Sequence, residues 1–337
     1  MANIVLGLAS SHGPMLSTPP AQWGLRVAAD RNNPAHWYRG RQYRFEELAQ
    51  LRAGEGLEDA ITPQAWEARH AACRTAISEL AQVFQAARAD VVIVFGNDQR
   101  EFFAEENTPG LAIYLGEQIE NQRYDEEVIQ KMPPGIAVSI DGHIPPEGAC
   151  YPGAPELGRH LSERLIAEGF DLAALKRFPV GNHTIPHAFG FVYRQLMQDR
   201  PIPSLPLFIN TFYPPNQPTA RRCAEFGRAV VRAIKSWPGQ ERIALVASGG
   251  LSHFVIDEAL DRVLLDALRT NDMAPLEALD DSLLQSGSSE IKNWIPLVAA
   301  MADLNWPGTV ADYVPCYRSE AGTGNAMGFA YWKEGNA

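Results

Sequence analysis

Two of the chain's eight histidines stand just past short apolar runs: His12 in Ser10-Ser11-His12-Gly13-Pro14 and His253 in Gly249-Gly250-Leu251-Ser252-His253. Asp98 and Gln99 follow a third such run, in Gly96-Asn97-Asp98-Gln99. In an open α/β sheet, ligands bind outside the carboxyl ends of the strands, so one pocket could hold all four side chains. Imidazole carries protons near neutral pH, and imidazole with carboxylate binds divalent metals. A lone histidine more often makes a structural hydrogen bond than a catalytic one, and position alone leaves both roles open.

Further candidates lie along the chain. His183 and His187 share the Pro- and Gly-flanked segment 181–190, where both rings could face a cleft. Capping a helix or bonding a backbone carbonyl is the competing role, and for His187 the preferred one. Glu290, in Ser286-Gly287-Ser288-Ser289-Glu290, is the carboxylate candidate, although a Ser-Ser-Glu start to an apolar run is also ordinary first-turn helix chemistry. His70 and His160 fall on amphipathic helices and read as surface or packing residues, while His36 and His143 lie in loops that could reach a pocket. The glycines of 322–328 follow no clear strand and precede no lysine, which argues for a tight turn rather than a phosphate loop. Ser252 lacks the Gly-x-Ser-x-Gly setting of a nucleophile elbow.

The elements that must position these residues are legible. Residues 3–8, 91–95, 205–209 and 243–247 are apolar, largely β-branched runs ending in polar or glycine turns, as buried parallel strands do. Helical spacing runs over 62–87, 156–168, 219–236 and 258–270, and Thr62-Pro63 suits an N-cap followed by a first-turn proline. The alternation predicts an α/β fold, with a central mainly parallel or mixed sheet flanked by helices. Residues 18–57 read as a long polar and aromatic excursion or lid near the active site, and 132–155 as a Pro/Gly-rich surface connection. No clear boundary divides the chain, so residues 1–337 are expected to form a single catalytic domain.

Composition narrows the function classes. The chain has 337 residues, 29 Lys+Arg against 40 Asp+Glu, and a formal charge of −11. No basic block is present, so neither nucleic acid nor an anionic membrane is an expected partner. Four cysteines lie far apart with no CxxC pair, which fits neither a disulfide framework nor a zinc-thiolate site. The N-terminal residues lack a signal-peptide pattern, and no apolar run approaches the ~20 residues of a membrane span. A soluble cytoplasmic protein is the expectation.

Taken in order, Ser10 to Pro14, Val91 to Gln99, His183, Gly249 to His253, and Ser286 to Glu290 with Trp294 resemble the class III extradiol ring-cleavage dioxygenases. That is the superfamily of the catalytic (β) subunit of protocatechuate 4,5-dioxygenase, and the resemblance runs almost end to end. It implies an Fe(II) enzyme that opens the ring of a small dihydroxylated aromatic or heteroaromatic acid and incorporates both atoms of O₂. By resemblance, His12 and Glu290 are metal ligands, His253 is the acid/base residue, and His183 is a catalytic histidine near the substrate. One position departs from the pattern. Gln99 stands where the protocatechuate enzymes carry the second metal histidine, and a neutral amide oxygen is a weaker donor for iron. Gln99 itself, His183 or His36 could complete the set, or Gln99 could merely orient a neighbour.

The long excursion separates the chain from the short protocatechuate subunits, and its Arg26, Arg31, Arg39 and Arg41 could meet a substrate carboxylate. The departure at Gln99 keeps two alternatives in view: a non-enzymatic or metal-weak binding protein on the same fold, and a zinc-dependent hydrolase. No appended helical domain is evident, so a homo-oligomer or a small second subunit is expected.

Overall fold

The computed structural model describes residues 2–133, 135–200 and 202–334. Nine strands form the main sheet: β1 (Asn3–Ser10), β2 (Val91–Gly96), β3 (Leu111–Tyr114), β4 (Ala173–Leu175), β5 (Ser204–Ile209), β6 (Arg242–Ser248), β7 (His253–Val255), β8 (Thr309–Tyr317) and β9 (Thr323–Lys333). Their order is β7-β9-β1-β6-β2-β5-β3-β4, with β8 paired to β9. The centre, β1-β6-β2-β5, is parallel, whereas β9 runs antiparallel to β1, β7 and β8. The sheet is therefore mixed, α/β and flanked by helices as expected.

Side chains alternate faces along each strand, and both faces are dry. Ile93 and Phe95 of β2 point into one apolar cluster, while Val92 and Val94 point into the other. The first cluster is covered by helices Pro155–Ala167, Ala220–Lys235, Glu258–Thr270 and Ile291–Asp303. The second is covered by Pro63–Ala87 and the short helix His187–Phe191. The long helix starts as its sequence predicts, with Thr62 Oγ1 accepting from the Ala65 amide at 3.2 Å ahead of Pro63.

Register decides what the sheet can present. Ser10 lies opposite Ser248, and Ala247 opposite Phe95, so β1, β6 and β2 end almost level. The turns carrying His12, Gly249-Gly250 and Asn97-Asp98-Gln99 leave from the same edge.

Two segments differ from their sequence reading. Residues 322–328 do follow a strand: β9 pairs with β8 over Thr309–Tyr317 and lies along β1. Its small residues, Thr323-Gly324-Asn325-Ala326, carry no β-branched run, which hid it. The Pro/Gly-rich segment is no mere connection. Met132, Ile136, Ile140, Gly142 and His143 form a wall of a cavity beside the strand ends.

The excursion folds into a 3-10 turn (Pro20–Arg26), a short helix (Val27–Asn32), a hairpin (His36–Tyr38 with Arg41–Tyr43) and a second helix (Phe45–Leu51). It is pinned to the β8–β9 hairpin by a buried ion pair, in which Arg318 donates to both Asp30 oxygens at 2.6 and 2.7 Å. Thr323 Oγ1 adds a third bond to the same carboxylate at 2.7 Å.

Candidate metal centre and its cavity

At the level strand ends lies a cavity of about 330 Å³, lined by His12, Gln99, His253 and Glu290 together with Glu101 and His187. Five of these six were candidates in the sequence, His187 with a structural role preferred, and only Glu101 was not. His12 Nε2 stands 3.0 Å from Glu290 Oε2, and His253 Nε2 stands 3.8 Å from the same oxygen. Glu290 ends the 3-10 turn Ser286–Glu290 and opens the helix Ile291–Asp303, so it occupies a helix start and the cavity at once.

Hydrogen bonds fix the tautomers. Ser248 Oγ donates its proton to the Ala188 carbonyl at 2.6 Å, so it can only accept from His12 Nδ1 at 3.0 Å. The His12 proton is thus on Nδ1, and Nε2 presents a bare lone pair. Burial lowers the pKa of His12, against the pull of Glu290, which keeps the ring neutral. His253 is set the same way, because its Nδ1 faces the Leu251 carbonyl at 2.7 Å and must donate to it.

Glu290 is held as a carboxylate. Burial alone would raise its pKa, but the imidazoles of His12 and His253 outweigh that and hold it well below the usual 4.5. Its Oε1 accepts from Gln99 Nε2 at 2.9 Å and Asn97 Nδ2 at 3.2 Å, and its Oε2 from the Gly250 amide at 2.8 Å. Gln99 therefore orients the carboxylate through its NH₂ group. Gly250 is required here, since a Cβ would collide with the His253 ring. Asn293 Nδ2 holds Asn97 at 2.8 Å, and Trp294 Nε1 donates to the Gly249 carbonyl at 2.7 Å, bracing the turn from behind.

His187 differs from its sequence reading. It does open the short helix His187–Phe191, but its ring packs edge-on to His12 with centroids 4.7 Å apart. Its Nδ1 meets Glu101 Oε2 at 2.7 Å, and its amide donates to Glu101 Oε1 at 3.0 Å. Burial opposes charging of this ring, yet Glu101 overcomes it and pushes the pKa up to about 9, so a metal ion binding at Nε2 has to displace a proton there. A carboxylate behind one imidazole nitrogen is the arrangement that orients metal-binding histidines.

His12, His187 and Glu290 each offer a donor atom within 4.8 Å of the others and could hold a metal ion. The donor chemistry fits one. With its proton on Nδ1, the buried His12 Nε2 has no hydrogen-bond partner among the described residues and faces a carboxylate oxygen at 3.0 Å. That is a conflict that positive charge between the two atoms, a second ring proton or a metal ion, must relieve.

His183 is not brought to the cavity. Its side chain is 64% exposed, and Nδ1 pairs with Glu120 at 2.7 Å. His36 is spent inside the excursion, bonding the Asp30 carbonyl through Nε2 at 2.8 Å. His143 lines the cavity, with burial and neighbouring His187 lowering its pKa to about 4. Sequence reasoning missed Glu101 and undervalued His187. The only signal for Glu101 was its place two residues past Gln99.

Beside the level strand ends, then, His12, His187 and Glu290 form a group that could hold a metal ion. Residues 62–326 match the family described as the catalytic LigB subunit of aromatic ring-opening dioxygenase, and the chain belongs to that family. Over 118 residues it is 35% identical to gallate dioxygenase of Pseudomonas putida, a match covering 34% of this chain and 32% of that protein. The match thus spans about a third of that curated relative's length. A solved structure, that of the uncharacterized protein JW3007 from Escherichia coli K12, superposes with a TM-score of 0.44 and 18% identity, over 76% of this chain and 91% of that one. Among the described residues, no helix is long and apolar enough to cross a membrane.

Proposed function

We propose that this chain, acting as one catalytic domain, is an Fe(II)-dependent extradiol dioxygenase for a small dihydroxylated aromatic acid. The observation that carries the reading is the partnerless His12 Nε2 beside Glu290, next to a third imidazole whose free nitrogen faces the same carboxylate. His12, His187 and Glu290 are the protein ligands in this reading, with Gln99 and Glu101 as positioning residues. A ferrous ion held there would supply a Lewis acid for adjacent substrate hydroxyls and a path by which the electron-rich ring passes electrons to O₂.

The chain's own residues do the rest. His253 has its Nδ1 proton committed to a backbone carbonyl, so Nε2 is free to take a proton from a substrate hydroxyl and return it later. Its short tether, between the Gly249-Gly250 turn and β7, limits how far that nitrogen can wander. Met132, Ile136, Ile140 and Phe191 give the cavity an apolar wall that excludes water around an aromatic ring. Glu101 holds the His187 ring, and Asn97, Gln99 and the Gly250 amide hold Glu290, so neither donor must reorganise when it works.

Anaerobic loading with Fe(II), then O₂ uptake with 3,4-dihydroxybenzoate and 3,4,5-trihydroxybenzoate, tests the reading. One O₂ consumed per ring, with a coloured ring-opened product, is expected. Stoichiometric iron with no O₂ uptake on any dihydroxylated ring would overturn it. Absence of metal binding would return the chain to the binding-protein alternative, and hydrolysis with zinc in place of iron to the other.

A further inference from the structure

The excursion brings one cation, Arg26, to the cavity, and among the described residues no side chain pairs with it directly. Arg26 closes the 3-10 turn Pro20–Arg26 and lines the cavity. Its stem crosses Gly135, where a Cβ would lie 3.0 Å from Arg26 Cγ and where φ is +83°. Only glycine meets both demands easily. Among the described residues, the guanidinium has no hydrogen-bond or ion-pair partner.

Asp30, the carboxylate whose field reaches Arg26, is already saturated by Arg318 and Thr323. The carboxylates that do line the cavity are equally committed, Glu101 to His187 and Glu290 to its own donors. Burial and the like charge of Arg318 bring the Arg26 pKa down to about 10, which still leaves it charged at neutral pH. A partly desolvated guanidinium with no counter-ion is costly, and a ligand anion would remove that cost.

We propose that Arg26 is a specificity-determining residue that binds the carboxylate of the substrate, so that the cavity selects dihydroxylated aromatic acids over neutral catechols. The planar fork of the guanidinium matches a carboxylate with two parallel N–H···O bonds, which fixes the ring's orientation as well as its charge. The inference rests on the ring-opening reading for the hydroxyl end of the ligand, but the anion contact is measurable without turnover.

The test compares 3,4-dihydroxybenzoate with 3,4-dihydroxybenzamide, which differ in charge and little in shape. Their dissociation constants are measured by calorimetry under anaerobic conditions on the iron-loaded wild type, Arg26→Gln and Arg26→Lys. The wild type should prefer the acid. Arg26→Gln should weaken the acid by about 10- to 100-fold, the worth of a charged hydrogen-bonded contact, and change the amide by less than about 2-fold. Arg26→Lys, a point charge, should restore part of the preference.

Equal weakening of both ligands, an unchanged acid affinity in Arg26→Gln, or no acid preference in the wild type overturns the proposal. O₂ uptake by the wild type on the same two ligands separates it from the ring-opening reading. Acid preference lost in Arg26→Gln, without O₂ uptake by the wild type, supports the anion contact and sinks ring opening. Equal kcat/KM on acid and amide keeps ring opening and sinks the anion contact.

Discussion

His12, His187 and His253 are the same side chain in three settings, and their hydrogen bonds distinguish them. His12 leans on a serine, His187 on a carboxylate and His253 on a backbone carbonyl. His12→Ala should therefore lose iron and activity together. His253→Ala should retain iron, by metal analysis, while turnover falls by ~10²–10⁴-fold, the span of a lost acid/base group. Release of the metal by His253→Ala would exchange those two roles. His187→Ala should lose metal as His12→Ala does, whereas His183→Ala, at an exposed ion pair, should keep both metal and rate. Asp261, behind His253, gives a pH signature. Burial pushes its carboxyl from 3.8 up to about 7, against bonds from Ser252 and Tyr313. The folded chain then holds a proton that the unfolded chain has released, so this contribution to stability is full below the unfolded pKa and is lost as pH rises through about 7. The unfolding free energy of wild type minus that of Asp261→Asn should fall between about pH 4 and about pH 7 and level off above that. A flat difference would mean that Asp261 is ionised throughout.

Among the elements, the excursion brings Arg26 to the cavity and is pinned to the β8–β9 hairpin by a buried ion pair. Removing one member of such a pair leaves the other charge uncompensated, which costs about 3–5 kcal/mol. Asp30→Ala should destabilise by that order in chemical denaturation, and Arg318→Met by less, since Asp30 can lose its charge by protonation. The helices and the central strands were legible because each carries a strong local period. The β8–β9 hairpin was not, since β9 is buried by close packing of small residues rather than marked by β-branched ones. The wall formed by Met132, Ile136, Ile140, Gly142 and His143 was invisible for a similar reason, because proline and glycine announce a turn but not what the turn leans on.

For the whole molecule, the metal and the fold are linked. The three candidate donors lie at residues 12, 187 and 290, on segments that meet only in the folded chain, so a metal ion held by them would bind the native state far better than the unfolded one. Ligand linkage then predicts stabilisation of about 2.7 kcal/mol at a free metal concentration 100 times the dissociation constant. Anaerobic Fe(II) should raise Tm in the wild type and do so much less in Glu290→Gln, and a chelator should reverse the rise. An equal rise in both proteins would place the metal elsewhere.

The sequence by itself determined the α/β class, the four central strands, the long helices, and three of the residues at the heart of the site, His12, His253 and Glu290. Each sits at a strand end or helix start, and such ends are written in local hydrophobic pattern. Only the tertiary structure decided that His187 rather than His183 turns inward, that Gln99 serves Glu290, and that Glu101 and Arg26 reach the cavity. Those outcomes depend on which side chains meet across more than eighty residues of chain, as Glu101 and His187 do, and no local period encodes a meeting of that range.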